Sequence, residues 1–590
     1  MPYDGLVLSA ATHELRQNLI GGRVERVHQP EKEKIIIAIY NNRKRYRLLL
    51  SAHAANARIH LTEAQYKNPP SPPLFCMVLR KHLEGGRIKS FEQPRLERVL
   101  KITVSASDEL GRDREKILIC EIMGRHSNLI IVDPMDKTII DGIKRYTHAV
   151  SRHREVYPGI PYISPPRQDK LNPLLMDEES FRDACLAQPW NKKLPDVLFA
   201  VLEGFSPLTC KELVYRTGLD LRFPLESCGD YELRILWESV QGVVGPARQG
   251  EFQTTLVTDS DNTPLEFAAL DLTHYPTPEE NVTRHRAEIS TILDKFFHHK
   301  ETSNQIQQIK QNFSQLLNTH MKRLKKKFRE QKKDFTKAED AEKYREWGEL
   351  VFANLHWLKA EKGKQEIALD SLYAPGEEVV IHLDPSLEPV RNAEKFFKRY
   401  RKAKTTRKIL GKRTAQTKQE LDYLQSVEIA TLESTTLDEL EEVKQELADG
   451  GYLKKEKRKA KKRLGIPTPA SYVSSDGFTV LLGKNNRQND YLTLKMAGAE
   501  DIWLHTKDIP GAHVIIRRGS RGVEIPERTL VEAAQLAAYN SKAKLSQNVP
   551  VDYTRKKFVT KPKGAKPGMV IYRYHKTLTV NPKESLRGDM

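Results

Sequence analysis

Short apolar runs separated by turn-forming residues dominate residues 1–172 and predict an α+β domain. The separating turns include Asn41-Asn42 and Asp133-Pro134. The stretch PPLFCMVLRKHLEGG predicts one helix, since Pro73 suits a helix start and Gly85 a helix end. The runs that favour strands are KIIIAIY, YRLLLSA, VLKITVSA, KILICEIM and NLIIVD.

Residues 173–284 have helical patterning and then connect to the next helical region. The sequence VLEGFSPLTCKELV places a Gly-containing hairpin, Gly204–Pro207, between two helices. One interpretation is a helix–hairpin–helix, whose backbone N–H groups take a phosphate at a helix N-terminus. A plain pair of antiparallel helices explains the same residues.

A long helical arm is predicted for residues 285–450, with an insertion around residues 360–390. Pro is absent from 279–374, and a second helical block starts near Pro389. The two helical blocks are expected to pair as an antiparallel coiled coil, and a helix of about 70 residues reaches roughly 100 Å. Such an arm is suited to spanning a distance. Apolar residues recur mostly three and four positions apart at Ile306, Ile309, Phe313, Leu316, Met321, Leu324 and Phe328.

After a basic linker at residues 451–469, residues 470–590 predict an α/β domain with a basic tail. Within the tail RKKFVTKPKGAKPGMVIYRYHK, aromatic residues alternate with basic ones, which is typical of nucleic-acid binding. The runs FTVLLGK, YLTLKMA, DIWLH and AHVIIRR favour strands, and PERTLVEAAQLAAYNSKAK favours a helix.

The stretch Asp501–Ile516, DIWLHTKDIPGAHVII, predicts a strand, a Pro-Gly turn and a second strand. We expect Trp503 and the aliphatic residues to pack on one face. His505, Lys507 and His513 are expected to present hydrogen-bond donors on the other. Buried packing of the Trp beside satisfied His rings is the alternative. The adjacent Arg517 and Arg518 make this surface cationic in either case.

The net charge of +19, from 97 Lys and Arg against 78 Asp and Glu, is concentrated in three runs. Lys322–Lys333 holds eight basic residues, Lys398–Arg413 nine with no acid, and Lys454–Arg463 eight. A solvated helix face is the simplest interpretation of one such run, but three favour a polyanionic partner, nucleic acid first. The acidic block Glu433–Asp449 is a candidate to screen one of the runs.

Several classes of protein and site are disfavoured. The five cysteines form no C-x-x-C, so neither a zinc ribbon nor a disulfide framework is expected. The N-terminal residues lack a signal-peptide pattern, and no run approaches the roughly 18 apolar residues of a membrane span. We therefore expect a cytoplasmic protein without a membrane partner.

No catalytic residue, metal or cofactor is predicted. His505 and His513 lie eight residues apart without an evident third ligand, whereas zinc usually takes three or four. Walker A, G-x-G-x-x-G and G-x-S-x-G patterns are absent. A processed Pro2 with a helix–hairpin–helix is typical of DNA glycosylases that act through a Schiff base. Here Tyr3 replaces the acidic residue that such enzymes need after the proline.

Segments along essentially the whole chain resemble the NFACT family. LDPSLEPVRNAEKFFKRYRKAK is similar to the start of the family's second coiled-coil helix. DGFTVLLGKNNRQNDYLTLK together with DIWLHTKDIPGAHVII resembles its RNA-binding domain, NFACT-R. The segments that resemble the N-terminal domain are MPYDG, THEL, GGRVERVHQP, LLLSAH, PPLFCMVLRKHLEGG and EIMGRHSNLIIVD.

The resemblance implies a role in ribosome-associated quality control. The protein would bind the rRNA and stalk base of a large ribosomal subunit that carries an obstructed peptidyl-tRNA. It would recruit alanyl-tRNA for untemplated C-terminal alanine tailing, which marks the stalled chain for degradation. The ribosome makes the bonds, so the factor is not an enzyme, and a small RNA-binding protein of the RqcP type is the implied partner. The N-terminal domain would keep a glycosylase-like fold without its chemistry.

The resemblance also implies tRNA-binding residues. The family's Asp-Arg pair falls at Glu97-Arg98 within PRLERVLKI, where Glu replaces Asp and moves the carboxylate by about one bond length. Arg98 keeps the fork that contacts phosphate or a base edge. The second implied tRNA segment is Glu121, Ile122, Met123 and Arg125. In it, Glu121 would accept from a base amino group and Arg125 would contact phosphate. Weaker RNA-binding candidates are Trp503, His505, Lys507, His513, Arg517 and Arg518.

Two other functions are also compatible with parts of the sequence. Family members have also been described as fibronectin-binding proteins, so a cell-surface adhesin is the alternative from another class. The absence of a signal peptide and of a wall-anchor pattern argues against it. A DNA glycosylase-like repair protein is the third interpretation, and it would require Pro2.

Overall fold

The computed structural model describes residues 3–107, 112–147, 154–275, 282–360, 363–374, 376–454, 468–519 and 524–583, and the backbone of Arg587 and Gly588. Pro2 and most of the predicted linker lie outside the described residues. The chain divides into two compact units, Met1–Thr302 and Ser303–Met590. Both units contain helices and sheets, which confirms the prediction of a mixed, multidomain fold.

The first unit contains a large antiparallel sheet of strands β1 (Arg23–Glu31), β2 (Lys34–Asn41), β3 (Lys44–Ser51), β4 (Arg58–Leu61), β5 (Arg87–Glu92), β6 (Val99–Ser107), β7 (Asp113–Glu121), β8 (Asn128–Val132) and β9 (Ile139–Gly142). Among the described residues their order is β4-β3-β2-β1-β5-β6-β7-β8-β9. All five predicted strand runs fall on this sheet, because β-branched and aliphatic residues suit a pleated, buried surface.

Helices cover the sheet of the first unit and fill the region after it. They are α1 (Gly5–Leu19), α2 (Leu74–Leu83), α3 (Glu178–Leu186), α4 (Leu194–Val201), α5 (Pro207–Arg216) and α6 (Asp230–Arg248). The predicted helix in PPLFCMVLRKHLEGG is α2, which begins after Pro73 and ends before Gly85, a residue with φ of 83°. Gly204 turns the chain between α4 and α5 with φ of 79°. The assignment of this pair as a helix–hairpin–helix stays a prediction. A small sheet of β10 (Thr255–Thr258), β11 (Pro264–Ala268) and β12 (Thr283–Arg286) completes the unit.

A long helical pair leads into the second unit. Its elements are α7 (Ile289–Glu339), α8 (Ala341–Ala353), α9 (Leu355–Leu358), β13 (Glu366–Asp370), β14 (Glu378–His382), α10 (Pro389–Glu433) and α11 (Leu437–Asp449). The insertion predicted around residues 360–390 is the β13–β14 hairpin, which packs with α8 and the start of α10 around Leu350 and Phe396.

The two long helices run antiparallel, as predicted. Lys310 Nζ on α7 donates to the Leu432 carbonyl on α10 at 2.7 Å. Further along α7, Phe335 lies under the Arg407 guanidinium at 5.9 Å. Because higher numbers on α7 meet lower numbers on α10, the chain directions are opposite. The apolar seam between them includes Phe313, Leu317, Met321, Tyr423, Leu424 and Val427.

The C-terminal domain is an antiparallel sheet with helices on both faces. Its elements are β15 (Ala470–Val473), β16 (Thr479–Leu482), α12 (Asn486–Tyr491), β17 (Ile502–Thr506), β18 (Val514–Ile516), α13 (Glu527–Tyr539), β19 (Val549–Arg555), β20 (Val559–Thr560), β21 (Ile571–Tyr572), β22 (Lys576–Val580) and β23 (Arg587–Gly588). In the described part, the main sheet has the order β22-β19-β17-β18-β16-β15-β23. Helix α13 covers one face of this sheet, and α12 begins the layer on the other.

One predicted strand of this domain is wrong. YLTLKMA begins in α12 and continues as a π-helical turn, Leu492–Met496. The Asn485 side chain caps α12 by accepting from the Gln488 backbone N–H at 2.9 Å. Short apolar runs fit a strand or a buried helix turn equally well. Here the Asn485 cap favours the helix. No helix in the described ranges is long and apolar enough to cross a membrane.

Candidate nucleic-acid interface

The two segments implied to bind tRNA lie side by side in the first unit. Strands β6 and β7 are antiparallel neighbours, with Val99 paired to Glu121. The residue before β6 and the residue after β7 therefore meet where these two strands end. The Ile122 N–H donates to the Arg98 carbonyl at 2.8 Å. The fold thus joins Glu97-Arg98 directly to the segment that ends at Arg125.

Arg98 is a half-buried cation. Its guanidinium makes no hydrogen bond or ion pair with the residues that the structure describes. Burial lowers the pKa of Arg98, and the negative charge of Asp4 acts in the opposite direction. A partly desolvated guanidinium without a hydrogen-bonded anion is stabilised by any phosphate or carboxylate that reaches it. This side chain is therefore a candidate for anion binding.

Asp4 links α1 to α5 and places a negative charge near Arg98. The Asp4 carboxylate caps α1 by accepting from the Val7 N–H at 2.9 Å, and it also accepts from the Ser206 N–H at 3.0 Å and from Thr209 Oγ1 at 2.7 Å. The N-terminus of α5 is therefore partly occupied by a carboxylate of the protein itself. Burial raises the pKa of Asp4.

Gly5 is needed where three segments meet. Its N–H donates to the Gly204 carbonyl at 2.7 Å. A Cβ on Gly5 would lie 1.9 Å from the Leu96 carbonyl oxygen, so a larger residue would push the Leu96 turn away. Gln93 ties the same turn together, since its Nε2 donates to the carbonyls of Gly5 at 2.9 Å and Glu97 at 3.0 Å.

A cationic cavity opens beside this turn and was not predicted. Its volume is about 440 Å³, and Arg95, Arg167 and Lys170 are among its lining residues. Arg95 Nη2 lies 2.9 Å from Glu203 Oε2, and Lys170 Nζ donates to the Phe199 carbonyl at 2.6 Å. Arg95 lies two positions before Glu97 in PRLER, so the sequence could have suggested it as part of the site. Lys170 lies far from Glu97-Arg98 in the sequence, and no local pattern links it to them.

The members of the second tRNA segment differ in accessibility. Glu121 is 1% exposed, and its carboxylate accepts from Arg154 Nη1 at 2.7 Å and from the Tyr162 hydroxyl at 2.9 Å. Ile122 is buried to the same extent. Met123 is partly buried, and Arg125 is exposed on the short 3-10 helix Gly124–His126. In this conformation Glu121 faces the interior, and Arg125 is the charged side chain that faces solvent.

The Asp501–Ile516 stretch is a strand, a turn and a strand, as predicted, but its side chains are arranged differently. Trp503 and His505 lie on the same face of β17, with ring centroids 5.7 Å apart. His513 is 1% exposed, and its Nδ1 lies 2.7 Å from Thr493 Oγ1. The expectation that His505 and His513 face outward, away from Trp503, is wrong. His505 shares the face of Trp503 because residues two apart on a strand point to the same side, and the His513 ring packs 5.2 Å from the Trp503 ring.

Burial also determines the charge of these rings. It lowers the pKa of His505 to about 4 and that of His513 well below its usual value. Both rings are therefore neutral near pH 7. Lys507 is exposed, Arg517 Nη1 lies 4.0 Å from Asp501 Oδ2, and Arg518 Nη1 lies 3.9 Å from Glu500 Oε2. RNA contact at these residues stays a prediction.

Within the described ranges, the arm carries two runs of exposed cations. The cations of Lys322–Lys333 on α7 and of Lys398–Arg413 on α10 form no ion pair with a carboxylate of the described chain. The acidic block Glu433–Asp449 contacts the C-terminal domain instead: Glu439 pairs with Lys484 at 2.9 Å and Glu433 with Lys544 at 3.1 Å. The run Lys454–Arg463 lies almost wholly outside the described residues.

Comparison with known families identifies the domains. Residues 4–464 match the model of the NFACT N-terminal and middle domains, and residues 469–573 match the NFACT protein RNA binding domain. The chain belongs to the NFACT family. The resemblance inferred from individual segments is thereby confirmed. The two matches meet within the predicted linker at 451–469, and the other predicted domain boundaries stay predictions.

Relatives of this NFACT chain match it over nearly its whole length. The Rqc2 homolog RqcH of Bacillus subtilis is 36% identical over 591 residues, which cover 99% of this chain and 98% of the relative. The Rqc2 homolog RqcH of Streptococcus suis is 35% identical over 586 residues, 99% of each chain. A solved structure of the N-terminal part of the fibronectin/fibrinogen-binding protein from Streptococcus suis is 32% identical, with a TM-score of 0.41. It covers 50% of this chain and 99% of that one.

Proposed function

We propose that this chain is a ribosome-associated quality control factor. It binds the large ribosomal subunit that carries an obstructed peptidyl-tRNA and recruits alanyl-tRNA for untemplated C-terminal alanine tailing. The observation that carries the proposal is the 36% identity to an Rqc2 homolog RqcH over 98% of that protein's length. The choice of alanine and an RqcP-type partner rest on the family resemblance alone.

The tRNA site in this proposal lies where the start of β6 meets the end of β7. Arg98 provides a half-buried guanidinium for a phosphate or base edge, and Arg125 provides an exposed one on the adjoining 3-10 helix. Glu121, ion-paired with Arg154, then acts by holding the Met123–Arg125 loop in place rather than by touching a base. Glu97 keeps the negative charge next to Arg98 that the family's Asp provides.

The arm supplies affinity for rRNA. Each phosphate neutralised by Lys or Arg releases condensed counterions, so binding weakens steeply as the salt concentration rises. The nine cations of Lys398–Arg413 meet this requirement over a helix segment of about 24 Å. Peptide-bond formation is left to the ribosome, and the factor's own residues bind and position RNA.

The test of the tRNA site is Arg98→Ala in the full-length protein. We expect loss of co-purifying tRNA with large-subunit co-sedimentation largely retained, because the arm is unchanged. Arg23→Ala, at an exposed arginine on β1, is the matched control. Normal tRNA recovery with Arg98→Ala would remove Arg98 from the site.

The test of the function is fractionation followed by sequencing of the bound RNA. Co-sedimentation with large subunits and enrichment of alanine tRNA support the proposal. Labelling of the protein on the surface of intact cells, without subunit association, would support the adhesin alternative instead.

A further inference from the structure

The half-buried Phe558 and the exposed Tyr574 form an aromatic pair in the C-terminal domain. Their ring centroids are 4.9 Å apart with the planes inclined at 60°. Tyr574 is 79% exposed. Backbone contacts hold the pair in place: the Arg573 N–H donates to the Phe558 carbonyl at 3.2 Å, and Thr554 Oγ1 donates to the Arg573 carbonyl at 3.0 Å. The rings therefore stand on a fixed base although Tyr574 faces solvent.

The backbone of Tyr574 lies in the left-handed region, with φ of 52°. Bulky residues rarely adopt this conformation because it is strained. Since the Tyr574 ring is exposed, no burial of the ring offsets that strain. Such strain concentrates at binding sites, where the surroundings hold a side chain in a useful direction. Here the strained backbone directs an aromatic ring into solvent beside a second ring.

Positive charge surrounds the aromatic pair. Arg555 Nη1 and Lys557 Nζ lie 3.3 Å and 2.9 Å from the single carboxylate of Glu500. The Lys557 ammonium is also 5.4 Å from the centroid of the Phe558 ring. Arg573 and Lys576 are exposed and pair with no described carboxylate. The surface thus combines the exposed ring of Tyr574 with more cations than anions.

We propose that the Phe558–Tyr574 pair is a stacking platform for an unpaired base of single-stranded RNA, with Arg555, Lys557 and Arg573 contacting the flanking phosphates. The inference rests on the proposed function and locates a contact within it. Every base has a π-face, so such a platform tolerates any sequence, and cations beside it track the RNA backbone. Bases of a duplex are stacked on one another and do not reach a ring on a protein surface. An acidic peptide would satisfy the cations but leave the aromatic pair unused.

The test is fluorescence anisotropy of the full-length protein with a labelled single-stranded oligonucleotide of about 12 nucleotides, a length within the usual footprint of such sites. The assay is run at one moderate salt concentration, and an unlabelled duplex of equal length is tested as a competitor. Tyr574→Ala is expected to weaken binding about tenfold, as for loss of one stacked base. Tyr574→Phe keeps the ring and should bind like wild type. Tyr231→Ala removes a tyrosine that is 70% exposed in the first unit and serves as the matched control.

Two further measurements remain informative if Tyr574→Ala misfolds. An oligonucleotide with 4-thiouridine, crosslinked to the wild-type protein, should attach to Phe558 or Tyr574 in peptide mapping. The slope of log affinity against log salt should fall by about 0.7 for Lys557→Ala, the value for one phosphate contact in single strands. That slope should not change for Tyr574→Phe.

Wild-type affinity of Tyr574→Ala, equal competition by a duplex, or crosslinks confined to the arm would each overturn the platform. These outcomes are separable from failure of the proposed function. A refuted platform with intact large-subunit co-sedimentation leaves the function standing. A supported platform in a protein that ignores ribosomal subunits and tRNA would refute the function alone.

Discussion

Glu301 on α7 joins two buried cations of the first sheet, and its replacement by Gln gives a sharp test of how the arm's helix is anchored. Its Oε2 lies 2.9 Å from Lys34 Nζ and its Oε1 2.8 Å from Arg58 Nη1. Lys34 and Arg58 side chains are 2% and 1% exposed. Burial raises the pKa of Glu301, but the charges of Arg58 and Lys34 outweigh it and hold the pKa below its usual value.

Glu301→Gln keeps the shape of the side chain and removes its charge. Breaking a buried ion pair costs about 3–5 kcal/mol, because the partner is left charged and desolvated. We take the lower end, about 3 kcal/mol, since Glu301 is 23% exposed and Lys34 keeps Glu31 at 2.7 Å. At 1.4 kcal/mol per factor of ten, this is roughly a 100-fold change in an opening equilibrium.

Hydrogen exchange read by mass spectrometry on the full-length protein measures this locally. Peptides that cover β4 and the start of α7 should lose about 100-fold in protection in Glu301→Gln. Glu330→Gln, at an exposed position of the same helix, is the matched control and should change nothing. Adding Lys34→Met to Glu301→Gln removes one stranded cation and should recover part of the loss.

A loss of protection below about threefold would refute the argument that buried cations left without a carboxylate destabilise this region. A double variant with less protection than Glu301→Gln alone would refute it as well.

The pH dependence of protection supplies a second check. A carboxyl whose pKa is lowered by folding stabilises the fold above its unfolded pKa of about 4.3 and loses that contribution as the pH falls further. Wild-type protection at β4 should therefore decline at acidic pH, and the Gln variant should decline less.

Three other predictions concern the second unit. Since burial lowers the pKa of His505 to about 4, the neutral ring's contribution is complete above about pH 6.5 and is lost as the pH falls toward 4; a flat exchange profile for β17 would contradict this. Burial raises the pKa of Glu446 to about 7, so stability at α11 is complete below about pH 4.5 and is lost as the pH rises through 7. Glu446→Gln should abolish that dependence in α11 exchange. Replacing four cations of Lys398–Arg413 by Gln should lower the salt slope of subunit binding in co-sedimentation, by up to about 0.9 per lost contact, and an unchanged slope would remove this run from the interface.

Local patterns predicted much of the fold. The strands could be predicted because runs of β-branched and aliphatic residues suit a buried sheet. The long helices could be predicted because apolar residues three and four positions apart lie on one buried face of a helix. Strand β1, RVERVHQPE, was missed because its buried residues alternate irregularly with charged ones, and its pairing with β2 contains register shifts. The β13–β14 hairpin is only five residues long on each strand, too short to stand out within the insertion.

The candidate site was predicted only where its residues are near in sequence or match the family. Arg98 and Arg125 were found in this way. The ion pair of Glu121 with Arg154 joins residues 33 positions apart, and Asp4 reaches Thr209 across 205. Such partners are set by the tertiary fold and leave no local signal. The arrangement of Trp503 and His505 was within reach, since their spacing of two already places both rings on one face.

Because α7 and α10 pack antiparallel along one apolar seam, the length of the arm can change during evolution only in certain steps. One inserted residue turns all later side chains of a helix by about 100° and takes them out of the apolar seam. Insertions must therefore come in near-heptad blocks, and a block in one helix needs a counterpart in the other. The span of such an arm is adjusted in increments of about 10 Å, so relatives fitted to ribosomes of different dimensions should differ in length by whole paired blocks.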